Sequence, residues 1–153
     1  MVAIVVIAHR PLASALEQSA RHVYSRDPAC GGYRLRALDV EPDADVAQLE
    51  QRAREVLAEE DDGSGVLLLT DCLGATPGNV AARLAQPGKI EVIAGVNLPM
   101  LLRALCYRAS SLRELAEKAM AGGARGIAPV GTPQQDQKPA SGNDDLARLQ
   151  DQQ

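Results

Sequence analysis

Three short stretches of this 153-residue chain hold residue types that do chemistry. His9 follows the apolar run Val2 to Ala8, Asp71 follows Val66 to Thr70, and Asn97 follows Ile90 to Val96. A carboxylate beside a histidine has a direct use. It accepts a hydrogen bond from one ring N–H, fixes the tautomer, and leaves the other nitrogen with an outward lone pair, ready as nucleophile or base. Gly74-Ala75-Thr76-Pro77 reads as a turn into a helix, with Thr76 as N-cap and Pro77 at the first helical position. Free N–H groups at a helix start bind phosphoryl oxygens. A nucleophilic His9, an orienting Asp71 and an anion-binding turn point to transfer of a phosphoryl group onto histidine. The rest of the inventory is quieter. His22 reads as a solvated surface residue and Cys72 as a small buried one, while Cys30 and Cys106 carry no signal. Neither a G-x-S-x-G elbow nor a G-x-x-x-x-G-K-[ST] loop is present, which weakens the case for a hydrolase using His9 as general base.

The elements that must position these groups follow from hydrophobic patterning. Val2 to Ala8 is a continuous β-branched and apolar run, as in a strand buried on both faces of a parallel sheet. Leu12, Leu16, Ala20 and Val23 recur at helical spacing. Tyr33 to Val40 is a weaker strand, with Tyr33, Leu35 and Ala37 alternating against Arg34 and Arg36. Val46, Leu49, Ala53, Val56 and Leu57 mark an amphipathic helix. Val66 to Thr70 is a third strand. A short helix is expected from Thr76 to Gln86, stopped by Pro87-Gly88, and a fourth strand from Ile90 to Val96. Two helices come next. One begins near Asn97 with Pro99 in its first turn. The other begins at Ser111-Leu112-Arg113-Glu114, a capping-box pattern, and is expected to stop at Gly122-Gly123. Arg125 to Val130 reads as a short last strand. Alternating strands and helices give an α/β layer fold with a mostly parallel sheet. Ligands of such sheets bind outside the carboxyl ends of the strands, where His9, Asp71 and Asn97 fall.

Composition narrows the function classes. Only 2% of residues are aromatic, with no Trp and no Phe, which argues against stacking platforms for single-stranded nucleic acid. The net charge of −4 and the absence of a basic stripe argue against a general DNA or RNA binder. Three cysteines without C-x-x-C spacing fit a reducing compartment. No window approaches the roughly 20 apolar residues of a membrane span, so a cytoplasmic protein is expected. Residues 1–131 read as one domain. Residues 132–153 read as a disordered Gln- and Asp-rich tail, because Pro133 to Gln153 hold six Gln and four Asp with few apolar residues.

Val2 to Leu12, reading V-A-I-V-V-I-A-H-R-P-L, resembles the first strand and active-site histidine of the mannose-type enzyme IIA domain of the bacterial phosphoenolpyruvate-dependent sugar phosphotransferase system. Asp71 to Asn79 is similar to that family's D-L-x-G-G-[ST]-P-x-N segment, and Gly95 to Leu101 to its G-x-N-L-P-M-[LV] segment. The resemblance runs from Val2 to Val130. It implies a doubly wound sheet of strand order 2-1-3-4, with a fifth antiparallel strand exchanged between the subunits of a homodimer; Arg125 to Val130 would be that strand. It implies that His9 takes a phosphoryl group from the phosphocarrier protein HPr and passes it to a IIB component. Asp71 would orient His9, Thr76 with nearby amides would contact phosphoryl oxygens, and Asn97, Leu98, Pro99 and Met100 would shape the partner surface. No metal or cofactor is implied. Three residues depart from the family pattern. Arg10 replaces a Gly and could stabilise phosphoryl charge, Ala75 replaces the second Gly of the turn, and Arg103 stands where an acidic residue is common. Two roles remain open, a transport component and a regulatory carrier whose phosphorylation state is the output. A non-catalytic binding module on the same fold is the alternative.

Overall fold

The computed structural model describes residues 1–26 and 33–131. The tail assigned to 132–153, and Cys30, lie outside the described residues. Four strands and five helices follow one another there: β1 (Ala3–His9), α1 (Leu12–Val23), β2 (Leu35–Val40), α2 (Val46–Glu60), β3 (Val66–Thr70), α3 (Thr76–Leu84), β4 (Ile90–Ala94), α4 (Leu98–Cys106) and α5 (Leu112–Arg125). The strands form one parallel sheet in the order β2-β1-β3-β4, as the patterning and the resemblance led us to expect.

β1 is central because it can be. It pairs on both sides, with Val6 opposite Ala37 of β2 and Leu69 of β3. Successive side chains of a strand point to opposite faces, and β1 supplies apolar groups to both. Val2, Ile4, Val6 and Ala8 join Leu67 and Leu69 in a core shared with α1, α4 and α5. Ala3, Val5 and Ile7 join Val66 and Leu68 in a second core under α2 and α3. Each fully buried Val, Leu or Ile contributes about 1.5–3 kcal/mol of transfer free energy. The strand that carries His9 is thereby anchored from both layers.

The helices begin where their side chains can satisfy free amides. Asp45 caps α2 by accepting from the Gln48 amide at 2.9 Å, and Asn97 caps α4 by accepting from the Met100 amide at 2.9 Å. Ser111 accepts from the Glu114 amide at 3.4 Å at the head of α5.

Several boundaries differ from the sequence expectation. β4 stops at Ala94, not Val96, because Gly95 turns away at φ +86°. The Gly95 and Val96 amides then bind the Asp71 and Thr70 carbonyls at 2.9 and 3.0 Å. α3 ends at Leu84, two residues before Gln86. α5 runs through Gly122-Gly123 to Arg125. Those glycines are contact points: a Cβ on Gly122 would lie 2.6 Å from the Arg103 side chain, and one on Gly123 would lie 2.8 Å from Met100. They let α5 press against α4, and the Asn97 side-chain amide donates to the Gly123 carbonyl at 3.1 Å. Beyond Arg125, residues 126–130 form no strand with this chain's own sheet. No helix among the described residues is long and apolar enough to cross a membrane.

Candidate functional site

His9 is the last residue of β1, and its side chain is half exposed at 51%. Asp71 follows β3, the neighbouring strand, and its side chain is only 12% exposed. Parallel pairing of β1 with β3 brings the two ends together. The His9 Nδ1 and Asp71 Oδ2 atoms are 2.6 Å apart. The same oxygen accepts the His9 backbone amide at 2.9 Å, and Oδ1 accepts the Cys72 amide at 2.9 Å. Burial alone pushes the Asp71 carboxyl up, but the His9 amide, the His9 ring, the Cys72 amide and the charge on His9 together hold it below its ordinary value. An ionised carboxylate only accepts hydrogen bonds, so Nδ1 carries the proton and Nε2 of a neutral ring carries the lone pair. With the ring half exposed, this is the geometry of a nucleophile that meets its substrate from solution.

The other expected residues are placed as follows. Thr76 is the first residue of α3 and not its cap; Ala75 holds the cap position in extended conformation, with Pro77 in the first turn. The helix start still presents first-turn amides that lack helical acceptors. Arg10 directs its guanidinium to Glu41, in a short ion pair with both side chains well exposed. Pro99 is exposed, Asn97 and Leu98 are half-buried, and Met100 is buried in the core. Asn97 has both ends of its side chain occupied within the fold. Arg103 covers Gly122 and stacks 4.7 Å over the Tyr107 ring. His22 is exposed on α1, as expected. Cys72 is not buried. It lies exposed in the turn after Asp71, because the chain has left the sheet there, and Leu73 beside it is 86% exposed. His9, Asp71 and Cys72 each offer one metal-ligating atom, and these lie within 4.8 Å of one another.

Two positioning residues escaped the sequence reading. Asp39 near the end of β2 accepts the Ser14 amide at 3.0 Å and so holds the first turn of α1 beside His9. Glu41, just past β2, engages Arg10. The strand-end rule would have found both had it been applied to β2, whose end at Val40 the pattern already marked.

Close approach also fixes the turn after Asp71. A Cβ on Gly78 would come within 2.4 Å of the Cys72 carbonyl oxygen. Replacing Gly78 by Ala is expected to destabilise the fold by about 1–3 kcal/mol, the range for overpacking. Urea titration followed by circular dichroism measures it; unchanged stability would show that the turn yields freely.

Fold and site together define a doubly wound α/β domain that presents an oriented imidazole on the open carboxyl edge of its sheet. Comparison with known proteins places it further. The family described as PTS system fructose IIA component, of the mannose-type IIA class, matches residues 3–121. The chain belongs to this family of the phosphoenolpyruvate-dependent sugar phosphotransferase system. The PTS system mannose-specific EIIAB component of Escherichia coli K12 is 33% identical over 129 residues, which is 82% of this chain and 38% of that protein. This chain thus spans about two fifths of the length of that relative. The PTS system fructose-specific EIIA component of Bacillus subtilis is 28% identical over 109 residues, 71% of each chain. The crystal structure of a phosphotransferase system component EIIA from Streptococcus agalactiae shares the fold with a TM-score of 0.72 at 23% identity, covering 84% of this chain and 97% of that one. The mannose/sorbose specific IIA subunit from Enterococcus faecalis gives 0.72 at 20% identity, over 86% and 96%.

Proposed function

We propose that the protein is a phosphocarrier: His9 accepts a phosphoryl group from phospho-HPr through Nε2 and hands it to a IIB component or a regulatory partner. The observation that carries this reading is the 2.6 Å contact between His9 Nδ1 and Asp71 Oδ2 beneath a half-exposed ring. The carboxylate accepts the hydrogen bond from Nδ1–H, keeps the proton on that inner nitrogen and leaves the outer one as the nucleophile. In-line attack on the donor phosphohistidine forms the new N–P bond as the old one breaks, and HPr leaves with its imidazole restored. Thr76 and the first-turn amides of α3 would receive the phosphoryl oxygens. Arg10 would reach them only by leaving Glu41, so its part is auxiliary. Pro99 and the exposed Leu73 supply surface for a protein partner, with Asn97, Leu98 and Met100 setting the shape beneath. Residues 1–131 constitute the carrier domain, working in the cytoplasm with 132–153 as a tail. The test is labelling of the purified protein from phosphoenolpyruvate through enzyme I and HPr, then a pull-down for the acceptor. A IIB acceptor assigns a transport role, and a kinase or transcriptional regulator assigns signalling. Failure to take label at all would leave the non-catalytic module.

The family resemblance supports a homodimer that exchanges residues 125–130. Ile127 is 78% exposed and Val130 fully exposed in the single chain, as expected of apolar residues whose partner is another subunit. Light scattering is expected to give about twice the 16.2 kDa chain mass; a monomer would contradict the exchange.

A further inference from the structure

We infer that His9, Asp71 and Cys72 form a binding site for a thiophilic divalent cation, zinc above all, and that the ion and the phosphoryl group exclude one another. Three different ligand chemistries converge here: an imidazole nitrogen, a carboxylate oxygen and a thiol sulfur within 4.8 Å of one another. Zinc takes imidazole nitrogen at about 2.0–2.1 Å and thiolate sulfur at about 2.3 Å, in tetrahedral sites that can keep one position open. Ligands around such an ion stand roughly 3.3–3.8 Å apart. The site therefore needs a contraction of up to about 1.5 Å on the sulfur side. Cys72 can supply it by turning its side chain, because it is exposed in a turn outside the sheet. The His9 and Asp71 ligand atoms, already at 2.6 Å, need only part slightly.

Exclusion follows from the two ring nitrogens. Binding releases the thiol proton to solvent and puts the ion on Nδ1 in place of its proton. A neutral imidazole metallated at Nδ1 carries its proton on Nε2. It then has no lone pair with which to attack phosphorus. Conversely, a ring phosphorylated at Nε2 keeps its proton on Nδ1 against Asp71 and has no electron pair for a metal. Zinc would thus hold the carrier in its unphosphorylated form.

The binding claim stands without the phosphocarrier reading, whereas the exclusion claim rests on it. Titration of the 153-residue protein with cobalt(II) is expected to produce the near-ultraviolet thiolate-to-cobalt charge-transfer band. Cys72→Ser should remove the band, and Cys106→Ser, at the other exposed thiol among the described residues, should keep it. Competition against a chromogenic zinc chelator should show at least about 10-fold weaker zinc binding in Cys72→Ser, the scale of losses at metal-site ligand partners. No band in the wild type, or a band surviving Cys72→Ser, would overturn the site whatever the carrier activity. For the second claim, zinc saturating the wild type should block its labelling by phospho-HPr and should not block that of Cys72→Ser relative to its own zinc-free level. Equal labelling of the wild type with and without bound zinc would overturn the exclusion and leave the binding result intact.

Discussion

His9→Ala is expected to reduce phosphate incorporation from phosphoenolpyruvate, enzyme I and HPr to the background of the assay. The effect is total because the mutation removes the acceptor atom itself, and no neighbouring group can replace a neutral nitrogen lone pair at that height above the sheet. Asp71 beside it is an acceptor-only carboxylate, and a phosphorylated carboxyl would differ in kind. An N–P bond to imidazole is labile in acid and survives alkali, whereas an acyl phosphate is lost in alkali. The chain has two histidines, so His22→Ala is the control. His22 is exposed on α1, and its loss should leave labelling unchanged. The fold should tolerate His9→Ala, since the side chain is half exposed and the hydrogen bond from the His9 amide to Asp71 belongs to the backbone. Circular dichroism with an unchanged thermal midpoint, within a few degrees, would establish that the loss is chemical. Acid-labile label persisting in a folded His9→Ala protein would remove His9 from the mechanism.

Much of this architecture could be read from residues alone, and the reasons differ by element. β1 and β3 are buried on both faces, so their sequences are nearly pure Val, Ile, Leu and Ala and mistakable for little else. The family resemblance supplied the order that makes these strands parallel neighbours, and with that order the residues after them, His9 and Asp71, must meet. Among the described residues β2 pairs with one strand and borders the sheet; its pattern is diluted by Arg36 and Asp39, and with it went the roles of Asp39 and Glu41. The end of α5 was misjudged for a different reason. A glycine pair looks the same whether it ends a helix or makes room for a neighbour. Only the position of Arg103 and Met100 on α4 decides, and that is a tertiary fact. Thr76 shows the limit at one-residue scale: Thr is much the better N-cap by propensity, yet Ala75 holds the cap position with no side-chain hydrogen bond and Thr76 is already helical. Cys72 shows the opposite error. Small apolar character predicts burial on average, but among the described residues nothing covers the turn that follows Asp71, where Cys72 and Leu73 are exposed.

Asp71→Ala is expected to slow phosphoryl transfer onto His9 by about 10²-fold, the low end of the range for positioned proton-handling groups. The argument runs through the ring. Without the carboxylate, Nδ1 has no fixed acceptor, the two tautomers mix, the imidazole rotates freely at the sheet edge, and the nascent positive charge on the phosphorylated ring has no counter-ion. Asp71→Asn separates these contributions. It keeps the volume and can aim an amide N–H at Nδ1, which places the ring proton on Nε2 and blocks the nucleophile, so it should be no faster than Asp71→Ala. Rapid-quench labelling with phospho-HPr measures both, and a wild-type rate in either would remove the orienting role. Stability supplies an independent check with a defined sign. The Asp71 carboxyl is held below its ordinary value in the folded protein. Its contribution is therefore present above the unfolded value of about 3.9 and is lost as pH falls through the lower folded value. Asp71→Asn should thus be less stable than wild type at neutral pH, and the gap should narrow as pH drops below about 4. A gap that widened in acid would mean that the folded state binds the Asp71 proton more tightly than the unfolded chain does. That carboxyl would then be unsuited to hold a proton on Nδ1, and the nucleophile at Nε2 would lose its physical basis.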